Sequence, residues 1–132
     1  MPKKILVVDD ESDVLLVVKT GLENEGFQVV TASNGADGLE LAREENPDLI
    51  ILDVMMPKMN GFQVLQELKK GETTAVIPVV MLTGLSDSQK IRQALMYGTD
   101  YYLVKPFEFD DLVMKIRTAL RDSNLSDGQS IY

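Results

Sequence analysis

Asp48-Leu-Ile-Ile-Leu-Asp53-Val-Met-Met-Pro-Lys-Met-Asn-Gly61 is the stretch that decides the fold. Its apolar run over residues 49–52 stops on a carboxylate. Leu, Ile, Ile and Leu with no polar alternation predict a strand buried on both faces, the condition of a parallel strand covered by helices. Asp53 stands where that strand runs out, and Pro57 and Gly61 predict a tight, shaped loop behind it. Asp53 is therefore expected to be an exposed, reactive carboxylate. The plainer alternative is a turn cap.

The sequence on either side repeats a strand–helix alternation. Residues 5–8 are apolar and β-branched and end in an acidic turn, Asp9-Asp10-Glu11. Ser12 or Asp10 is the expected cap of a first helix over residues 12–25, with Val14, Leu15, Val18 and Leu22 on one face and Gly26 as its stop. A second strand is expected over 27–31. Asn34-Gly35 turns into a second helix with Leu39 and Ala42 inward, ending before Asn46-Pro47 because a residue preceding proline disfavours the α region. Asn60 caps a third helix to residue 70, with Phe62, Leu65 and Leu68 inward. A polar loop from Gly71 leads to a fourth strand over 77–82, which ends on Thr83-Gly84. Ser86 or Asp87 caps a fourth helix that Gly98 stops. A fifth strand over 101–104 ends on Lys105-Pro106. The fifth helix, over 108–121, turns Leu112, Val113, Ile116 and Leu120 to one side.

Five βα units predict an α/β fold: a five-stranded parallel sheet with five helices on both faces. The matching architecture is the flavodoxin-like (βα)5 three-layer sandwich with strand order 2-1-3-4-5, whose sites lie outside the carboxyl ends of the strands. Residues 1–122 form the expected domain. Residues 123–132 are polar and aperiodic and are expected to be a flexible tail or the start of a linker.

Composition narrows the chemistry. The chain of 132 residues suits one domain, and 45% hydrophobic residues exclude a disordered chain. A net charge of −8 argues against direct nucleic-acid binding. With no cysteine and no histidine, thiol nucleophiles, zinc-thiolate sites and a Ser-His-Asp triad are all excluded. The few apolar residues before Asp9 are too short a run for a signal peptide or a membrane span, so a soluble cytoplasmic protein is expected.

The strand ends then collect one kind of chemistry. Strand one supplies Asp9 and Asp10, strand three Asp53, strand four Thr83 and strand five Lys105. In the order 2-1-3-4-5 the first and third strands are neighbours, which places the three aspartates together. Crowded carboxylates raise one another's pKa unless a cation joins them. Oxygen ligands without His or Cys suit Mg²⁺, with Mn²⁺ as a substitute. A carboxylate beside such a metal can accept a phosphoryl group, with Lys105 and Thr83 as donors to its oxygens. Each residue alone has a plainer explanation, as a helix cap, a surface lysine or a strand threonine. Together at one edge they do not.

With these motifs in this order, the sequence resembles the receiver domains of bacterial two-component response regulators, chemotaxis-Y-like, over residues 4–121. The carrying residues are Asp9-Asp10, Asp53 with its Met-Met-Pro-Lys-Met-Asn-Gly loop, Thr83-Gly84 and Lys105-Pro106-Phe107. The resemblance implies that Asp53 accepts a phosphoryl group from the phosphohistidine of a sensor histidine kinase or a phosphotransfer protein. It implies Mg²⁺ held by Asp10, Asp53 and the backbone carbonyl of Met55, with Asp9 acting through water. Lys105 would pair with the phosphoryl group, Thr83 would move to it, Tyr102 would turn inward behind, and Lys105-Pro106 would be a cis peptide.

The implied output surface is the fourth helix, fifth strand and fifth helix, carrying Lys90, Arg92, Asp100, Asp110, Asp111, Lys115 and Arg117. It would control a downstream effector protein or domain, or form a phosphorylation-favoured homodimer. Such a protein is no enzyme beyond its own phosphorylation and slow dephosphorylation. Met55 and Leu85, two residues beyond Asp53 and Thr83, cannot orient an attacking water through their side chains, so a long-lived phosphoryl group is expected. Two other readings fit less well. A flavodoxin needs a Ser/Thr/Gly-rich phosphate loop where this chain has Asp9-Asp10-Glu11. A haloacid-dehalogenase-type phosphatase needs a second Asp at position 55, which is Met.

Overall fold

The computed structural model describes residues 2–84, 92, 96, 99 and 101–126. Its elements are β1 (Lys4–Val8), α1 (Ser12–Asn24), β2 (Gln28–Ala32), α2 (Gly35–Glu45), β3 (Leu49–Asp53), α3 (Gly61–Lys70), β4 (Val79–Thr83), β5 (Tyr101–Val104) and α4 (Phe109–Ser126). The strands form one parallel sheet in the order β2-β1-β3-β4-β5. The fold is therefore the flavodoxin-like α/β sandwich expected. Of the fourth helix predicted from the sequence, only Arg92 and Met96 are described, both helical; Ser86, Asp87 and Gly98 lie outside the described residues.

The unbroken apolar strands have a simple consequence. Successive side chains point to opposite faces, so each strand feeds two cores. Leu6, Val8, Ile50, Leu52, Val79 and Met81 face α2 and α3, where Leu39, Ala42, Phe62, Leu65 and Leu68 meet them. Ile5, Val7, Leu49, Ile51, Val80 and Leu82 face α1 and α4, where Val18, Leu22, Leu112 and Ile116 meet them. All five residues of β3 are buried. Each such Leu or Ile contributes about 1.5–3 kcal/mol by leaving water. β3 is thus clamped on both faces, and the loop after it starts from a rigid base.

Local signals explain the joints. α1 ends in a Schellman turn: the Phe27 N–H donates to Leu22 O and the Gly26 N–H to Glu23 O, with Gly26 at φ +95°. Phe27 is spent on this turn, which is why β2 starts at Gln28 rather than Phe27. α3 begins with a capping box in which Asn60 Oδ1 accepts the Gln63 N–H and Gln63 Oε1 accepts the Asn60 N–H.

Several boundaries differ from the sequence expectation. Neither Ser12 nor Asp10 caps α1: the N-cap is Glu11, whose side chain makes no cap bond. Asp9 takes the Glu11 N–H on its own carboxylate instead (2.9 Å). Ile77 belongs to the preceding turn through Thr74 O, so β4 starts after Pro78, and it extends to Thr83 because Thr83 pairs with Val104. Asn46 precedes Pro47 in the left-handed region (φ 48°), not the extended one. α4 continues to Ser126, through the first residues of the expected tail.

Candidate functional site

The site forms at the carboxyl edge of the sheet, where β1, β3, β4 and β5 end side by side. Val8 pairs with Leu52, Asp53 with Leu82, and Thr83 with Val104. This register sets Asp9, Asp53, Thr83 and Lys105 along one rim. The main chain ties the rim together: the Asp9 N–H donates to Ala32 O, the Val54 N–H to Leu82 O, and the Lys105 N–H to Thr83 O (2.7 Å).

Carboxylate oxygens of Asp9, Asp10, Glu11 and Asp53 all lie within 4.8 Å of one another. Lys105 Nζ answers them, at 3.0 Å from Asp9 Oδ2, 3.3 Å from Glu11 Oε1 and 3.6 Å from Asp53 Oδ1. Asp9 is fully buried and Asp53 is 2% exposed. The latter corrects the expectation of an exposed carboxylate. Asp53 is the last residue of a doubly covered strand and sits in the floor of the crevice, with the Met55 N–H donating to its Oδ1 (3.2 Å).

The electrostatics follow from that burial. Burial first, then the negative charge of Asp9, pushes the Asp53 carboxyl up to about 7, against the pull of Lys105 and the Met55 N–H. Burial alone would lower the pKa of Lys105. The hydrogen bond to Asp9 and the charges of Asp53 and Asp9 outweigh it, and the net shift is upward. Lys105 is therefore a permanent cation beside a carboxylate that is reluctant to ionise alone.

This donor set fits a hard divalent cation. Four carboxylates converge, the chain has no cysteine or histidine to favour a softer metal, and Asp53 and Asp9 repel one another at close range. A cation there would relieve the repulsion that Lys105 offsets only in part.

The loop from Val54 to Asn60 shapes the far wall. The Gly61 N–H donates to Val54 O, and Lys58 takes φ +69°. A Cβ on Gly61 would stand 2.3 Å from Asp53 O, so only glycine allows α3 to start against the acidic strand end. Met55 projects outward, 59% exposed, at the mouth.

The remaining expected residues lie where the strand pattern puts them. Thr83 is buried at the end of β4, next to β5. Gly84 follows it in open space. Tyr102 is half-buried against the core on the α2 and α3 side. Lys105-Pro106 is cis. Leu85 lies outside the described residues. In the sequence Glu11 stands out only as part of an acidic turn. The structure brings its carboxylate to Lys105, and the run of three acids is the one signal that points to it.

Known proteins match this chain along nearly its whole length. The family described as "Response regulator receiver domain" matches residues 5–117. A "Probable transcriptional regulator ycf27" of Guillardia theta is 43% identical over 92% of this chain and 47% of its own length. The "DNA-binding dual master transcriptional regulator RpaA" of Synechocystis is 43% identical over 92% of this chain and 50% of its own. The chain thus spans about half the length of the curated relatives it matches. Among solved structures, a response regulator receiver domain protein (CheY-like) from Methanospirillum hungatei superposes with a TM-score of 0.88. It is 31% identical and covers 94% of this chain and 98% of that one.

Proposed function

Because the chain belongs to the response regulator receiver domains, a family of phosphorylation-dependent signalling switches, we propose that Asp53 is its phosphoacceptor. The observation that carries this reading is the position of Asp53. It lies buried at the end of the central strand, inside a ring of three other carboxylates and facing Lys105. An Asp53 oxygen forms the new O–P bond as the phosphorus–nitrogen bond of a donor phosphohistidine breaks and the imidazole leaves with the electron pair.

Mg²⁺ would be held by Asp10, Asp53 and the Met55 carbonyl, with Asp9 acting through water. It would supply charge neutralisation for the phosphoryl oxygens and the attacking carboxylate. Lys105 holds its proton and offers a point charge to those oxygens, and Thr83 offers a hydroxyl from the adjacent strand. The protein's enzymatic activity is limited to this self-phosphorylation and its slow reversal by water.

A sensor histidine kinase or a phosphotransfer protein is the proposed donor. Support comes from an apolar cavity of about 470 Å³ beside the crevice, lined by Glu11, Val14, Val17, Pro106, Phe107 and Phe109. Val17 of that lining is 65% exposed. A protein donor needs such a surface to hold its phosphohistidine over Asp53.

The proposed output runs through β5, α4 and the fourth helix predicted from the sequence, toward an effector or a second copy of the chain. Arg117 does not serve that face. It turns to Glu25 (3.3 Å) and lies over the Phe27 ring (5.2 Å). The relatives named as transcriptional regulators suggest transcription as the process controlled. The acidic charge of this chain leaves DNA contact to another domain or partner.

Incubation with Mg²⁺ and acetyl phosphate, followed by intact-mass measurement, tests the core of the reading. One phosphoryl group should appear in the protein and none in Asp53→Ala. Equal mass gain in both would move the acceptor elsewhere.

A further inference from the structure

Three carboxylates compete for Lys105. Its ammonium has three N–H donors: Nζ hydrogen-bonds Asp9 at 3.0 Å and Glu11 at 3.3 Å, and stands at ion-pair distance, 3.6 Å, from Asp53. A phosphoryl group on Asp53 brings three strong acceptors to the same ammonium; one can take the donor that now faces Asp53, and any second contact requires Asp9 or Glu11 to yield.

Asp9 is badly placed to do so. It is fully buried, its second oxygen already takes the Glu11 N–H, and losing its cation would leave a buried charge unpaired. The Glu11 side chain is 62% exposed, and water can replace Lys105 there at little cost. Capping does not account for its position either. Glu11 occupies the N-cap of α1, yet its side chain bonds no α1 amide and reaches across to Lys105 instead.

We propose that Glu11 is a positioning residue: it holds Lys105 in the unphosphorylated protein and surrenders it to the phosphoryl group. Its reach to Lys105 then sets how strongly the crevice takes up an anionic phosphodonor. The inference rests on the reading of Asp53 as phosphoacceptor.

The test measures the rate of phosphorylation of the full chain against acetyl phosphate concentration at saturating Mg²⁺, read by intact mass. Thermal unfolding midpoints confirm that each variant is folded. Glu11→Gln should lower the half-saturating concentration of acetyl phosphate about two- to five-fold, the span of an ion pair exposed on one side, with the limiting rate little changed. Glu11→Asp keeps the charge and loses the reach, so it should behave like Glu11→Gln. In a Lys105→Gln background both changes should lose their effect.

A Glu11→Asp protein indistinguishable from the parent would overturn the proposal, since simple repulsion of the donor would then explain Glu11→Gln. The proposal also fails if Glu11→Gln changes nothing, or acts undiminished without Lys105. Failure of the parent chain itself to gain a phosphoryl group is a separate result, and it would remove the reading of Asp53 together with this inference.

Discussion

Asp53 carries a cost that can be measured without any phosphodonor. Its carboxyl is raised to about 7 from an ordinary value of 3.8, chiefly by burial and by Asp9. A raised acid stabilises the fold while protonated, and that contribution is lost as pH rises through the folded value. The metal-free protein should therefore lose stability between about pH 4 and 7.5. Asp53→Asn should remove that slope and, in EDTA at pH 8, raise the unfolding midpoint by about 3–5 °C, the shift that ~1 kcal/mol produces in a domain of this size. Mg²⁺ should narrow the gap by stabilising the parent more than the variant. A variant no more stable than the parent in EDTA would mean that Lys105 already compensates the charge in full. At the mouth of the crevice, Met55 is 59% exposed and brings no polar group to a water near Asp53. Met55→Asn and Leu85→Glu should each shorten the phosphoryl half-life, followed by loss of the added mass after donor removal; unchanged half-lives would sever these positions from the lifetime.

The loop from β3 to α3 shows how an element boundary controls the site. Asn60 and Gln63 satisfy one another's backbone, so α3 starts at a fixed residue, and Gly61 lets that start lie against the Asp53 carbonyl. Asn60→Ala should cost about 1 kcal/mol in denaturant unfolding, as the loss of an N-cap does, with Asp53 still phosphorylated. Gly61→Ala meets main-chain atoms that cannot turn aside. It should lower both stability and the rate of phosphorylation by acetyl phosphate, because relief of the clash moves Asp53 itself. A Gly61→Ala protein with the parent's rate would show that the loop can shift without the acceptor. The helix caps also mark where sequence reasoning succeeds and fails. Asn60 and Gly26 are legible because one side chain or one positive φ decides each. The cap of α1 is not, because the N-cap falls on Glu11, whose N–H goes to Asp9 and whose side chain reaches across to Lys105 rather than to an α1 amide.

At the scale of the whole molecule, the acidic edge of the sheet and the apolar cavity beside α1 lie together, on the side from which a protein donor would approach. Val17→Glu should therefore slow phosphotransfer from a cognate kinase or phosphotransfer protein by about ten-fold or more, since an unpaired charge set into an apolar contact costs over ~1 kcal/mol. Phosphorylation by acetyl phosphate should stay as in the parent. Equal rates from the protein donor would place its docking elsewhere. Among the described residues no helix is long and apolar enough to cross a membrane.

The alternation of apolar runs with amphipathic stretches determined the five strands and the layering by itself. Burial on both faces of a strand needs no knowledge of neighbours, only the absence of polar residues in runs such as 49–52. The motif residues Asp9, Asp10, Asp53, Thr83 and Lys105 were legible for a related reason: each interrupts an apolar run where the run stops. Tertiary structure alone decided their distances and their burial. Asp53 looks exposed in the sequence because a strand end looks like a surface; neighbouring strands and the Gly61 loop close over it. Glu11 looks like one more turn residue until the strand order brings Lys105, 94 positions away, within 3.3 Å of it. Pairings across such separations depend on register and strand order, and in a single chain those are set by packing.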